Sequence, residues 1–460
     1  MSELFASLRD ALGHEAVLAS EAIDSRYLGD WLLRDDTVRP AALVRPSTTA
    51  EVSATLRECS ARRVPVVAQG GRTGLAGGAV PRDGWVILSL ERMHTIESVD
   101  PDSATIVAQS GATLQSVQDA AAGAGMLFPL DIGARGSCTI GGNIATNAGG
   151  NRVLRYGMMR DLVLGLEVVL ANGTVLDAMN SMLKNNAGYD VKQVFVGSEG
   201  TLGVVTRAVL RLFPATTSVQ TALCAVADYD AALALLRLAR ERLGADLSAF
   251  EVMWADFYRL GTSGAGRRAP LAEGHPLYVL VESMGTDATL DATRFQGYVE
   301  AAFERGVVAD ALIAGSLRES KDIWAIRDSS AELQRIIGHY VPFDISLPIG
   351  AIGRFVEDCR ARIAARWPGL ATVWFGHIAD SNLHICVAAP GGPEAVHELD
   401  ELVYERVGEF RGSISAEHGI GLLKRNFLAR SRTPEAIAAM RVLKAALDPN
   451  GILNPGKVLA

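Results

Sequence analysis

From Val44 to Phe213 the apolar positions come in short runs broken by turn residues, a pattern that predicts alternating strands and helices. The N-terminal MSELFASLRDALGHEAVLA spaces its apolar residues helically among acids and arginines. Ser47–Thr49 can cap a helix from Ala50 to about Arg62. Val64–Ala68 reads as a buried strand, Trp85–Leu90, Ile96–Asp100 and Ala104–Gln109 as short strands, and Leu114–Ala122 as a helix. Leu164–Leu170 and Thr174–Asp177 are joined by the Asn172-Gly173 hairpin signal. From about Ala215 glycine thins out, and long helices (Asp230–Arg242, Leu290–Glu304) alternate with strands such as Tyr278–Glu282. Further helices are expected at Ile323–Ile336 and Gly353–Arg366, a surface loop at Gly261–Gly274, and turns at Leu447–Gly456. The pattern predicts an α+β domain over 1–214, a second α+β domain with an antiparallel sheet over 215–412, and a C-terminal segment, 413–460, that closes against the first.

Gly133–Gly157, GARGSCTIGGNIATNAGGNRVLRYG, interrupts that pattern with glycine, Ser, Thr and Asn. Such a stretch builds no core of its own, and glycine lets backbone approach a ligand closely. A flexible loop is the plain alternative. Two more glycine-dense blocks, Gln69–Gly78 and Gly197–Gly203, favour backbone laid along a large polar ligand. The first follows the Val64–Ala68 strand, so its consecutive N–H groups can form an anion-binding nest for phosphate. It lacks the Gly-Lys-Ser/Thr ending of a Walker loop and the spacing of the dinucleotide fingerprint.

Composition narrows the function class. The 460 residues suffice for two or three domains, and 49% hydrophobic with 21% charged residues is ordinary for a globular chain. A net charge of −8 argues against a nucleic-acid surface or an anionic membrane. The five scattered cysteines include no CxxC pair, which suits a reducing compartment. No secretory h-region or apolar run of about 18 residues is present, so the expected location is cytoplasmic.

Three of the eight histidines sit in unusual company. In Phe375–Cys386, a hairpin with Asp380-Ser381 as its turn pairs Ala379 with Asn382, Ile378 with Leu383 and His377 with His384. Cβ atoms opposite each other lie about 5 Å apart, suitable for two nitrogens on one divalent metal. Glu417 can supply a third ligand, and His418 beside it an acid or base; such a set suits zinc, manganese or iron. His14, His94, His275, His339 and His397 are assigned core or surface roles. Arg327, one turn after Trp324, can grip a carboxylate bidentately, or else form an ordinary surface ion pair.

Six stretches identify a relationship: QGGRTGLAGGAVP, PLDIGARGSCTIGGNIATNAGGNRVLRYG, NNAGYDVKQVFVGSEGTLGVVTRAVL, GHIADSNLH, SAEHGIGLLKR and LDPNGILNPGK. In these, over nearly its whole length, the chain resembles FAD-linked oxidases of the vanillyl-alcohol-oxidase type, in the branch of the D-lactate and D-2-hydroxyglutarate dehydrogenases. The resemblance implies an α+β fold: a two-subdomain FAD-binding domain plus a substrate, or cap, domain with an antiparallel sheet. It implies noncovalent FAD, the pyrophosphate over Gln69, Gly70, Gly71, Arg72, Thr73, Gly74, Leu75, Gly77 and Gly78. The flavin and ribityl chain would follow Pro129, Leu130, Asp131, Gly136, Ser137, Gly141, Gly142, Asn143, Thr146, Asn147, Gly149 and Gly150, and then Gly200, Gly203, Val204 and Val205. Tyr156, Gly157 and Glu199 would complete the cofactor site, with Asn454 near the flavin. The resemblance also implies a metal on His377, His384 and Glu417, zinc first. It makes His418 the base for the substrate hydroxyl and Arg327 a contact to substrate carboxylate.

The implied reaction is oxidation of a D-2-hydroxy acid to the 2-oxo acid, with an electron-transfer flavoprotein or a quinone as acceptor; a homodimer is compatible with the sequence. Three positions depart from the D-2-hydroxyglutarate branch: Ala331 stands for Thr, Pro342 for Lys and Cys386 for Asn. Their loss of polarity predicts a substrate with a less polar tail. The competing readings are a non-redox flavoenzyme of the alkyl-dihydroxyacetone-phosphate synthase kind and a metal-dependent hydrolase whose glycine blocks bind phosphate.

Overall fold

The structure, a computed structural model, describes residues 2–460, the side chains of Ser2, Ser330 and Ala331 excepted. It divides into two compact units. One comprises Met1–Gly150, Gly157–Ala215 and Glu417–Ala460; the other Asn151–Tyr156 and Thr216–Ala416.

The first unit opens with helix α1 (Ser2–Leu12) and holds two larger sheets besides a two-stranded ladder of Met126–Leu127 with Phe213–Pro214. Strands β1 (Val17–Ala19), β2 (Ala42–Val44), β3 (Val66–Gln69) and β4 (Val86–Ser89) line up in the order β1-β2-β4-β3, the last three parallel. β3 and β4 carry hardly a polar side chain until Gln69 and Ser89 at their ends, as strands covered on both faces should. Helix α2 (Thr49–Ala61) begins where the sequence indicates, because the Thr48 hydroxyl accepts the Glu51 N–H at 3.2 Å. An antiparallel sheet follows, in the order β5-β6-β9-β7-β8. It is built from β5 (Ile96–Asp100), β6 (Thr105–Gln109), β7 (Val163–Val169), β8 (Val175–Ala178) and β9 (Val204–Arg211), with helix α3 (Leu114–Gly123) beside it.

The second unit is organised by an antiparallel seven-stranded sheet in the order β13-β10-β12-β11-β15-β16-β14. Its strands are β10 (Ser218–Val226), β11 (Leu247–Trp254), β12 (Leu277–Gly285), β13 (Asp310–Ile313), β14 (Tyr340–Ser346), β15 (Thr372–Gly376) and β16 (Asn382–Ala388). Helices α4 (Tyr229–Leu243) and α5 (Ala288–Glu304) extend the predicted ones by one or two residues. Register matters more than boundaries here. Glu251 and Leu280 are opposite, as are Met253 and Phe375, Phe375 and His384, and His384 and Asp344. Paired positions share a face. One face therefore carries Glu282, Glu251, His384 and Asp344 towards one end, and Leu223, Tyr278, Met253 and Cys386 in an apolar cluster further along.

Two expected elements differ. The helix predicted over Ile323–Ile336 is α6 (Leu317–Arg327), begun by Ser316, whose hydroxyl accepts the Glu319 N–H. It gives way to a 3-10 turn over Asp328–Glu332 and a short helix, Leu333–Ile337. Ser329 donates its hydroxyl to the Ala325 carbonyl, the kind of local competition that ends a regular ladder. The second difference is the hairpin. β15 stops at Gly376, and β16 pairs two residues out of the expected register, Phe375 rather than His377 lying opposite His384. A two-residue loop of type I′ needs positive φ at both positions. Here only Ser381 (φ 79) has it, and Ile378–Asp380 coil into a 3-10 turn.

Candidate flavin cradle and metal centre

In the first unit the glycine blocks converge. A Cβ on Gly70 would overlap the Thr139 hydroxyl and lie 3.7 Å from the Gly142 N, so the first block packs directly on the middle of the second. Glu199 (φ 52), Asn147 (φ 49), Arg72 (φ 57) and Asn454 (φ 48) all adopt the left-handed region. Non-glycine residues held there persist only where surroundings over-determine them, commonly at ligand sites. Asn454 ties two of the blocks, its Nδ2 donating to the Gly78 carbonyl at 3.0 Å and the Glu199 carbonyl at 2.9 Å. The Glu199 carboxylate accepts the Ile420 and Gly421 N–H groups at 2.7 and 2.8 Å, and burial raises its pKa.

Several of the expected contacts are local instead. Asn147 Oδ1 accepts the Arg160 N–H, Asn143 Nδ2 reaches Cys138 Sγ at 3.7 Å, and Leu130, Val204 and Val205 point into apolar cores. These residues can offer a ligand only backbone. Gly136 and Ser137 are exposed, and Tyr156 groups with the second unit. The donor set still fits a large polar cofactor. Thr139 Oγ1, Ser110 Oγ, Gln69 Oε1 and Asn454 Oδ1 are buried, and none has a hydrogen-bond partner among the described residues. Buried polar atoms are rarely left so unless something else satisfies them.

Lys457, outside every expectation, is part of this cradle: its Nζ donates at 2.7 Å to both the Gly78 and Val80 carbonyls. Burial lowers its ammonium from 10.5 to about 7. Between pH 7 and 10.5 the unfolded chain thus holds a proton that the folded chain lacks, and stability rises with pH across that window. Lys457→Met should abolish that rise and take the donor from the Val80 carbonyl, while the Gly78 carbonyl keeps Asn454, at a cost of about 1–3 kcal/mol. Urea midpoints of both proteins at pH 7 and pH 9 check this.

In the second unit, the wider turn after β15 does not separate the histidines. The rings of His377 and His384 lie 5.4 Å apart. His377 and His384 each offer a ring nitrogen, and Glu417, the first residue of the first unit's C-terminal segment, offers a carboxylate oxygen. Glu417 follows directly on Ala416, whose N–H is held at 3.2 Å by Asp344 Oδ2. Glu417 Oε1 also accepts the N–H of Gly150, a residue at φ 119 in the long glycine stretch. Each histidine has a buried carboxylate on its Nδ1 side. His377 Nδ1 is 2.6 Å from Glu251 Oε1, and His384 Nδ1 is 3.7 Å from Asp344 Oδ1. Histidine ligands of metals typically have such a partner on the other ring nitrogen. His418 is half-buried in the bend beside Glu417.

Arg327, the last residue of α6, is 7% exposed and is no surface residue. Its Nε donates to Glu251 Oε2 at 2.8 Å, its Nη2 is 2.9 Å from His377 Nε2, and its guanidinium lies over the Phe375 ring. His377 and Arg327 together hold the Glu251 carboxyl at about 2 despite the opposing effect of burial. Glu251 and Glu282 escaped the sequence analysis, yet the signal was there. Each is an acid inside a strand of otherwise buried residues, LSAFEVMW and LYVLVESMG. A fully buried acid is rare unless paired. Glu282 accepts from Trp324 Nε1 at 2.8 Å and from the Ser248 hydroxyl at 3.0 Å.

Residues 40–179 match the family described as FAD binding domain, and residues 216–458 the one described as FAD linked oxidases, C-terminal domain. The chain is 42% identical over 433 residues to a mitochondrial D-2-hydroxyglutarate dehydrogenase of Bos taurus, covering 94% of this chain and 78% of that protein. It is 39% identical to a D-2-hydroxyglutarate dehydrogenase of Xanthomonas citri pv. viticola, covering 96% and 94%. Among solved structures, p-cresol methylhydroxylase with substrate bound superposes with a TM-score of 0.79 at 19% identity, covering 99% and 96%, a likeness of fold.

Proposed function

The chain belongs to the FAD linked oxidases, in the branch of the D-2-hydroxyglutarate dehydrogenases, and from that premise we propose that it is a metal-dependent dehydrogenase of D-2-hydroxy acids with His418 as base. The observation that carries the metal is the closeness of the His377 and His384 rings, backed by buried carboxylates behind both imidazoles, with Glu417 as the third ligand. Two nitrogens and one carboxylate suit zinc first, then manganese or iron. When bound, the metal would supply a Lewis acid for the substrate hydroxyl, and FAD a hydride acceptor.

The protein's own residues do the rest. His418 takes the hydroxyl proton at a nitrogen whose ordinary pKa lies near working pH. Arg327 draws the substrate carboxylate to a fixed guanidinium, whose Nη1 is the nitrogen that Glu251 and His377 do not engage. Reoxidation falls to an electron-transfer flavoprotein or a quinone. The near-complete coverage by dehydrogenase relatives weighs against the non-redox transferase and the hydrolase. Among the described residues, no helix is long and apolar enough to cross a membrane.

The register supports a less polar substrate tail. Pro342 and Cys386, two of the three departures, lie opposite each other on neighbouring strands, and Cys386 is buried in the cluster that holds Val373 and Phe375. Burial pushes its thiol up to about 12, so it stays neutral. Ala331, the third departure, lies outside the described side chains. Steady-state kcat/KM should therefore favour D-lactate, D-2-hydroxybutyrate or D-mandelate over D-malate and D-2-hydroxyglutarate, with L-acids inert. A best rate with D-2-hydroxyglutarate would refute the tail assignment, and turnover of L-acids the handedness.

A further inference from the structure

Resting on the metal reading above, we infer that Glu251 is a positioning residue that sets the geometry of both the metal ligand His377 and the substrate-binding Arg327. Its two oxygens are divided between them: Oε1 is 2.6 Å from His377 Nδ1, and Oε2 accepts Arg327 Nε at 2.8 Å. With the Nδ1 proton turned towards a carboxylate, His377 keeps the tautomer whose lone pair is on Nε2. That nitrogen, at present 2.9 Å from Arg327 Nη2, is the one a metal would use. The same carboxylate stops the Arg327 fork from swinging about its long side chain.

The placement of Glu251 allows it no surface role. It is 1% exposed, at mid-strand in β11, with every residue of that strand buried. Asp344 is the counterpart behind His384. It is fully buried, accepts Asn382 Nδ2 at 2.7 Å, and anchors the N–H of Ala416 just before Glu417. Glu251 differs from it in sitting 2.6 Å rather than 3.7 Å from its imidazole and in also holding Arg327. An isosteric amide in its place cannot serve both partners. If the amide oxygen accepts the His377 Nδ1 proton, the NH₂ faces the Arg327 donor; if the amide turns over, it donates to Nδ1 and forces the proton onto Nε2.

The test uses flavin-loaded protein stripped of metal, with zinc titrated against a chromophoric chelator. Glu251→Gln should weaken zinc binding by about 10–100-fold and raise KM for the D-acid, while the flavin absorbance stays that of the parent. Glu251→Asp keeps the charge on a shorter arm and should recover part of the zinc affinity; if the amide variant does not fold, the aspartate variant alone must still bind zinc more weakly than the parent. Zinc affinities equal to the parent's in the variants would overturn the inference while leaving the metal reading standing. A parent protein that takes up no zinc, manganese or iron would sink both.

Discussion

His384→Ala is expected to lower kcat/KM by at least about a thousandfold while leaving the fold and the flavin in place. The size follows from the role: a metal acting as Lewis acid is worth several kcal/mol of transition-state charge, and each 1.36 kcal/mol is tenfold in rate. The selectivity follows from the structure. β16 keeps its pairing with β14 and β15 without this side chain, since the ladder is backbone. Asp344 keeps the Asn382 amide and the Ala416 N–H as partners, so no buried charge is orphaned. Metal content by elemental analysis, absorbance of bound flavin and turnover, measured on one preparation, separate the effects. His418→Gln should differ in kind, losing about 10²–10⁴-fold in rate and keeping its metal. A His384→Ala protein with normal turnover would remove the metal from the mechanism.

The largest structural effect is expected from Gly71→Ala. A Cβ there would run into the Ser137 carbonyl oxygen and lie 2.8 Å from Cys138 Cα. Both are backbone of the long glycine stretch, so no side chain can swing aside, and either that stretch or the Gln69–Gly78 block must move. Forced overpacking of this kind costs about 3 kcal/mol, and the displacement falls where the cofactor backbone contacts are expected. The variant should purify without flavin and melt at lower temperature. Gly74→Ala is the control, because its Cβ would meet nothing closer than Asp30 Oδ2 at 3.6 Å. Equal flavin content in both variants would move the cofactor away from this contact.

These residues also mark how far the sequence carried. Thr48 as a cap, the strands β3 and β4, and the antiparallel cap sheet were legible because local chemistry and period decide them. The closeness of His377 and His384 was legible too, although for an inexact reason. The sequence suggested a two-residue turn, while the chain uses a 3-10 turn closed by Ser381, and the rings still meet. A two-residue shift in register keeps a side chain on the same face, which is why the error did no harm. Arg327 was harder. Helical spacing says nothing of what stands opposite, and its partner Glu251 is 76 residues away in sequence. Lys457 was missed for a similar reason, since its carbonyl partners lie more than 370 residues earlier.

The central claim is tested most directly by adding D- and L-2-hydroxy acids to the anaerobic protein and following the flavin band at about 450 nm, before and after chelation. The account predicts bleaching by D-acids alone, lost with chelator and restored by a divalent metal. Full-rate bleaching in metal-free protein, or none with any hydroxy acid, would contradict it.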